Sequence, residues 1–159
     1  MRALLAAVTL VGGVVGGAVT AAADEPPPPA TCELRVIHAL KEGGGIDPRI
    51  TRLRPYLERA PFTAWHEFKL LSSTEVELAP KGSSSFDLPN GRKGTLTYVE
   101  HLLASDGDHR MRLQLLIENG PKRVLNTTFV LDEGGVVLQA GQKYQGGLLV
   151  LGVSCKTEK

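Results

Sequence analysis

The stretch from Arg110 to Cys155 constrains the fold more than any other, because it alternates with a period of two and is cut by tight-turn signals. In Arg110–Glu118 the odd positions Met111, Leu113, Leu115 and Ile117 are apolar, and the even ones are polar except Leu116. Successive side chains of a strand point to opposite faces, so one face here lies in a core and the other near water. Asn119-Gly120 suits the positive φ angles of a hairpin turn, and Pro121 leaves the turn type open. Arg123 to Leu131 then sets Leu125, Thr127, Phe129 and Leu131 on one face, with β-branched residues throughout. Asp132-Glu133-Gly134-Gly135 turns the chain into a third strand at Val136-Val137-Leu138. After the glycine-rich segment Gly141–Gly147, the last strand, Leu148 to Cys155, is apolar on both faces near its start, which predicts a central position in a sheet. Leu149, Leu151, Val153 and Cys155 share a face, so the cysteine points inward.

The segment Asp132 to Leu138, followed by Gly146-Gly147-Leu148, is similar to the closing hairpin of secretin outer-membrane channels. The likeness stops at that hairpin and implies hairpin chemistry, since the rest of the chain lacks the secretin length and pattern.

The amino end states the compartment. Met1-Arg2 opens an uncharged run from Ala3 to Ala23, and Ala21-Ala22-Ala23 is a small-residue cleavage site with Asp24-Glu25 behind it. This is the pattern of a secretory signal peptide over residues 1–23, cleaved after Ala23, and the mature chain is expected to be secreted or periplasmic. The competing reading, a membrane anchor of roughly 20 residues, is disfavoured by the glycine and alanine content and the single flanking charge. Membrane contact is then expected only through an uncleaved leader. Cleavage removes one charged residue, Arg2, from the 18 basic and 17 acidic residues of the whole chain, leaving the mature chain neutral. A neutral chain offers no bulk attraction to phosphate backbones, so nucleic acid is excluded as a partner class.

The chain has two cysteines, Cys32 and Cys155, and an even pair in an exported protein predicts one disulfide. Cys32, Leu34 and Val36 share a face of the first strand, matching the inward Cys155, so the first and last strands should be neighbours. Closing so long a loop stabilises by about 4–5 kcal/mol in the chain-entropy model. A lipid-modified Cys32 does not fit, because Pro-Ala-Thr precedes it and the hydrophobic run ends upstream. Two remote cysteines do not make a metal site.

Residues 24–31, with Pro26-Pro27-Pro28-Pro29, read as an extended spacer ahead of a single domain over 32–159. Within it, Glu33–Ala39 is a strand and Lys41–Gly45 a flexible loop. Asp47-Pro48 is a helix cap followed by proline at the first helical position. Ile46, Ile50, Leu53 and Leu57 form an apolar stripe, and Pro55 limits it to a short helix or two abutting turns before Pro61. The glycines before it lack a phosphate-loop ending. Phe62–Leu71 reads as a second strand, with Phe62, Ala64, His66, Phe68 and Leu70 on one face and Trp65 on the other. Thr74–Leu78 continues it. Ser83–Ser85 reads as loop, Pro89-Asn90-Gly91 as a turn and Thr95–Leu103 as a strand. Eight or nine strands with glycine-rich turns predict an all-β, antiparallel two-sheet β-sandwich with one short helical insertion. The alternative is an α+β arrangement with the helix packed on an antiparallel sheet.

Candidate chemistry is sparse. The four histidines, His38, His66, His101 and His109, show no metal-ligand spacing on a shared element. His38 and His66 read as satisfied structural residues. Asp106-Gly107-Asp108-His109 lacks the ligand count of a calcium loop and reads as a turn. No serine lies in a nucleophile elbow, no cofactor fingerprint is present, and both cysteines are committed to the disulfide. Asn126-Thr127-Thr128 is a glycosylation sequon placed mid-strand. Trp65 and Tyr144 are the candidates for a binding surface, Trp65 because it opposes the regular apolar face and Tyr144 because it sits among the glycines 141–147. The expectation is an exported, non-catalytic protein without metal or cofactor that binds another envelope or extracellular protein. The alternatives are an accessory subunit or inhibitor in a secretion or surface assembly, and a hydrolase with a dispersed site.

Overall fold

The structure, a computed structural model, describes residues 25–158. The leader predicted at 1–23, its cleavage point, and Asp24 and Lys159 lie outside the described residues. The chain forms β1 (Ala30–Leu40), the two-residue β2 (Gly45–Ile46), a 3-10 segment (Pro48–Leu53), the single-turn α1 (Arg54–Leu57) and a second 3-10 turn (Phe62–Ala64). It continues through β3 (Glu67–Leu78), β4 (Ser83–Asp87), β5 (Lys93–Leu103), β6 (His109–Asn119), β7 (Lys122–Asp132), β8 (Val137–Tyr144) and β9 (Gly147–Thr157). A five-stranded sheet, β2-β3-β1-β9-β8, stacks on a four-stranded sheet, β4-β5-β6-β7. Every pairing is antiparallel except the short β2–β3 contact. This is the predicted β-sandwich.

The alternation of β1 decides the layering. Its even positions Ala30, Cys32, Leu34 and Val36 enter the core between the sheets, where they meet Leu96, Tyr98, Met111, Leu113, Leu115 and Ile117 of the smaller sheet. Its odd positions Ile37 and Ala39 face outward instead. They pack, with Val150 and Phe68, beneath Ile50, Leu53, Leu57 and Phe62 of the helical insertion. The apolar stripe of the insertion therefore roofs one end of the outer face of the larger sheet. Asp47 caps the insertion as its sequence implies, accepting from the Arg49 amide at 3.0 Å. The helical part is two abutting turns, ended by residues that lead into a cis Ala60–Pro61 bond. Strand β9 lies between β1 and β8 and is buried on both faces, which is the central position its continuous apolar run predicts.

Four local expectations are corrected. Phe62–Ala64 is a 3-10 turn rather than strand, and β3 begins at Glu67. Phe62 donates its amide to the Arg59 carbonyl at 2.8 Å and buries its ring in the insertion cluster, so the packing of one aromatic overrides the local alternation. Ser83–Ser85 is strand rather than loop. It pairs with the edge of β5, and its hydroxyls meet Thr95 and Thr97 across the ladder at 3.2 and 3.1 Å. Tyr144 ends β8 rather than sitting in a loop, because that strand runs through Gly141 with a bulge between Ala140 and Gln142. Strand β1 already begins at Ala30, ahead of the expected spacer boundary, with the Pro29 carbonyl accepting from Glu158 at 3.0 Å.

Candidate functional site

Cys32 and Cys155 stand opposite each other in the β1–β9 register and are joined by a disulfide. Both are buried in the core between the sheets, as the shared inward face requires. No free cysteine occurs among the described residues. The bond is structural, linking the two central strands of the larger sheet.

Trp65 and Tyr144, distant in sequence, line one recess of about 670 Å³ at the roofed end of the larger sheet. Its other walls are Lys41, Lys143, Leu148 and the β8–β9 turn. Trp65 sits between the second 3-10 turn and β3, half-buried, with part of its ring against the insertion cluster. Lys41, directly after β1, holds its ammonium 5.7 Å from the centre of the indole, a cation–π approach. Tyr144 is held from beneath by His38. The His38 ring meets the tyrosine ring edge-on at 5.1 Å, and His38 Nε2 lies 3.0 Å from the Tyr144 carbonyl. A carbonyl only accepts, so His38 Nε2 carries the hydrogen and donates it. His38 is thus the satisfied structural histidine expected of it, here used to seat the aromatic wall. His66 is not: it is exposed, in the segment before β3.

The turn closing β8 and β9 is as tight as its position demands. Gln145 and Gly146 both have positive φ, 39° and 75°, the signature of a two-residue hairpin whose twist matches its strands. At Gly147 a Cβ would lie 2.1 Å from the Ala39 carbonyl and 2.9 Å from His38 Nε2. No side chain fits there, so the hairpin lies flush on β1 and leaves the recess open beside it.

A second depression, about 420 Å³, lies on the same outer face, where the insertion meets the polar end of β1. Arg35, Arg49, Arg52, Glu33, Glu75 and Tyr56 are among its walls. Arg35 is buried and bonded to Glu33 and to the Ser154 hydroxyl, while Ser73 donates to the other Glu33 oxygen at 2.7 Å. Arg49 is taken up by Asp47 and the Leu70 carbonyl. With Arg35 and Arg49 each engaged by its own acceptors, the depression offers fewer free donors than its residue names suggest.

The groups with displaced ionisation are structural as well. Hydrogen bonds from the Arg49 side chain and amide, and from the Leu70 amide, hold the Asp47 carboxyl well below its ordinary value of 3.8. The same ion pair raises Arg49. Burial pushes the Tyr98 phenol above 10.0, and its hydroxyl has no partner in the core between the sheets. None of the three lines the aromatic recess. Among the described residues no group of three or more histidine, cysteine, aspartate or glutamate side chains is arranged around a metal, and no helix is long and apolar enough to cross a membrane.

One proximity escaped the sequence reading. His101 Nε2 and His109 Nδ1 lie 2.9 Å apart across the β5–β6 hairpin. Asp106 and Gly107 form the expected turn between them, with Ala104 donating to the Asp108 carbonyl at 2.9 Å. The register Leu103↔His109 and His101↔Met111 puts both histidines on one face, and only that register reveals it.

The class defined is a disulfide-linked two-sheet β-sandwich whose larger sheet is half roofed by a helical insertion and carries an aromatic recess at the roofed end. Comparison with protein-family models, curated proteins and solved structures finds no match to this chain.

Proposed function

We propose that the mature chain is an exported, non-catalytic binding domain that holds an envelope or extracellular protein at the recess of Trp65 and Tyr144. The observation carrying this reading is the pairing of two rigid, half-buried aromatic rings with two exposed lysines, Lys41 and Lys143, around one apolar-walled opening. Aromatic walls supply contact area with little entropy to lose, and lysines at the rim select negative charge. The partner segment therefore presents an apolar or aromatic side chain beside a carboxylate. Support for export comes from the leader-like residues 1–23 and from a disulfide suited to an oxidising compartment.

Trp65 is the sole tryptophan of the chain, so its emission reports on this recess alone. A photoreactive residue in place of Lys143, installed in producing cells, is expected to capture one recurrent exported protein. That partner, added to the purified mature chain, is expected to shift the Trp65 emission, and Trp65→Ala to weaken binding by about 2 kcal/mol or more, as a buried aromatic anchor does. Capture without any change in Trp65 emission, or equal binding by Trp65→Ala, sinks the recess as the contact.

A further inference from the structure

We propose that His101 and His109 form a two-nitrogen chelate for a late first-row divalent ion, with Cu²⁺ bound most tightly. The pair stands on the β5–β6 hairpin of the smaller sheet, apart from the aromatic recess.

The pair is positioned by the sheet rather than by a flexible loop. His101 is the cross-strand partner of Met111, which is fully buried, so both histidines stand on the core side of the β5–β6 hairpin. They sit where that core opens to solvent, and each is half-buried. His109 is tied further by its carbonyl, which accepts from the Glu133 amide at 3.1 Å. The rings are tilted by 36° with centroids 5.1 Å apart. Two imidazole nitrogens bound to one ion at about 2.0–2.1 Å and at right angles to each other lie about 2.9 Å apart. That is the separation already present between His101 Nε2 and His109 Nδ1, at 2.9 Å. A modest rotation of each ring turns both lone pairs from each other toward a shared ion, without moving the strands.

The exchange balances without a co-reactant. In the hydrogen-bonded pair one ring donates its N–H to the other ring's nitrogen. On binding, that ring carries its hydrogen on the nitrogen facing away, both facing nitrogens become ligands, and water completes the coordination sphere. Neutral imidazole suits nickel, copper and zinc, and affinity rises from Ni²⁺ to a maximum at Cu²⁺ and falls again at Zn²⁺. The surroundings favour a cation. Asp108, Asp132 and Glu133 line a depression of about 470 Å³ with His109, and Arg110, paired to Asp132 at 2.8 Å, offsets part of their charge. The carboxylates draw the ion in; the imidazoles hold it.

The test is a titration of the disulfide-intact mature chain with Cu²⁺ alone, followed by calorimetry and electron paramagnetic resonance. One ion per chain is expected, with hyperfine structure from two nitrogens. His101→Gln and His109→Gln each keep a polar side chain of related shape and are each expected to weaken binding about tenfold or more. Circular dichroism and the thermal midpoint confirm that the variants fold, and the resonance spectrum separates lost ligation from altered structure. The proposal is overturned if the double variant binds Cu²⁺ as the parent does, which places the ion elsewhere, or if the parent spectrum carries one nitrogen or none.

Discussion

The outer faces of the two sheets are built from the same alternating strands and yet finish differently. On the larger sheet the odd positions of β1 change character along the strand, from Thr31, Glu33 and Arg35 to Ile37 and Ala39. The apolar end is covered by Ile50, Leu53, Leu57 and Phe62 of the insertion, and the recess of Trp65 and Tyr144 opens at the margin of that cover. The smaller sheet keeps a polar outer face, with Arg112 bonded to Glu100 and Gln114 donating to Asn126 at 2.9 Å. Val124 and Val130 stand exposed on it, and the sequon residue Asn126 between them is also exposed. A few apolar residues on the wrong face of a strand demand a third layer, and the rim of that layer provides a concave surface. An evenly alternating sheet demands none and stays flat.

The largest expected effect breaks the roof. Leu57 is 1% exposed and lies at the centre of the insertion cluster. Leu57→Ala should lower unfolding stability by about 3 kcal/mol, the middle of the range for a buried leucine truncated to alanine. Chemical denaturation measures this, and Trp65 emission should shift with it because the indole rests on the same cluster. A loss below about 1 kcal/mol would show that the roof is not integral to the fold.

A smaller effect sharpens the comparison by loosening the roof at its hinge. Asp47 fastens the insertion to β3, accepting from Arg49 on one side and from the Leu70 amide, at 3.2 Å, on the other. Its carboxyl is held below 3.8 in the folded chain, so the ionised form is the stabilising one. That contribution is complete above the ordinary carboxylate range and is lost as the pH falls through and below 3.8. Asp47→Asn should therefore be less stable than the parent at neutral pH and converge with it on acidification. Denaturation midpoints followed from about pH 6 down to about pH 2 check the sign. Parallel profiles would mean that another group carries the acid dependence.

The smallest effect probes the bare face. Val130→Thr on the outside of β7 should change stability by no more than about 0.5 kcal/mol, since that side chain is exposed. A clear loss in the thermal midpoint would reveal a cover on this face.

Much of this architecture is written in local pattern. The alternation of Met111 to Ile117, the Asn119-Gly120 turn and the two-sided apolar run of Leu148 to Val153 specify strand, hairpin and central position within a few residues each. The disulfide follows from the same logic, because Cys32 and Cys155 each share a face with residues that must be buried. Where one residue's packing competes with alternation, local reading fails. Phe62 is drawn into the insertion cluster and ends the strand pattern early, and Ser83 to Ser85 becomes strand only because β5 offers it an edge.

The candidate sites depend on register, which no local period contains. Trp65 and Tyr144 could each be singled out as aromatic residues out of step with their neighbours, but their meeting requires β1 and β9 to bring the start of β3 and the end of β8 to one end of the larger sheet. His101 and His109 become neighbours only through the β5–β6 pairing and its bulge between Tyr98 and Glu100. From sequence alone come the β class and the paired cysteines, because periodicity and composition are properties of short stretches. Tertiary structure alone decides which side chains face each other across strands, because a shift of one residue in pairing sends every side chain to the opposite face.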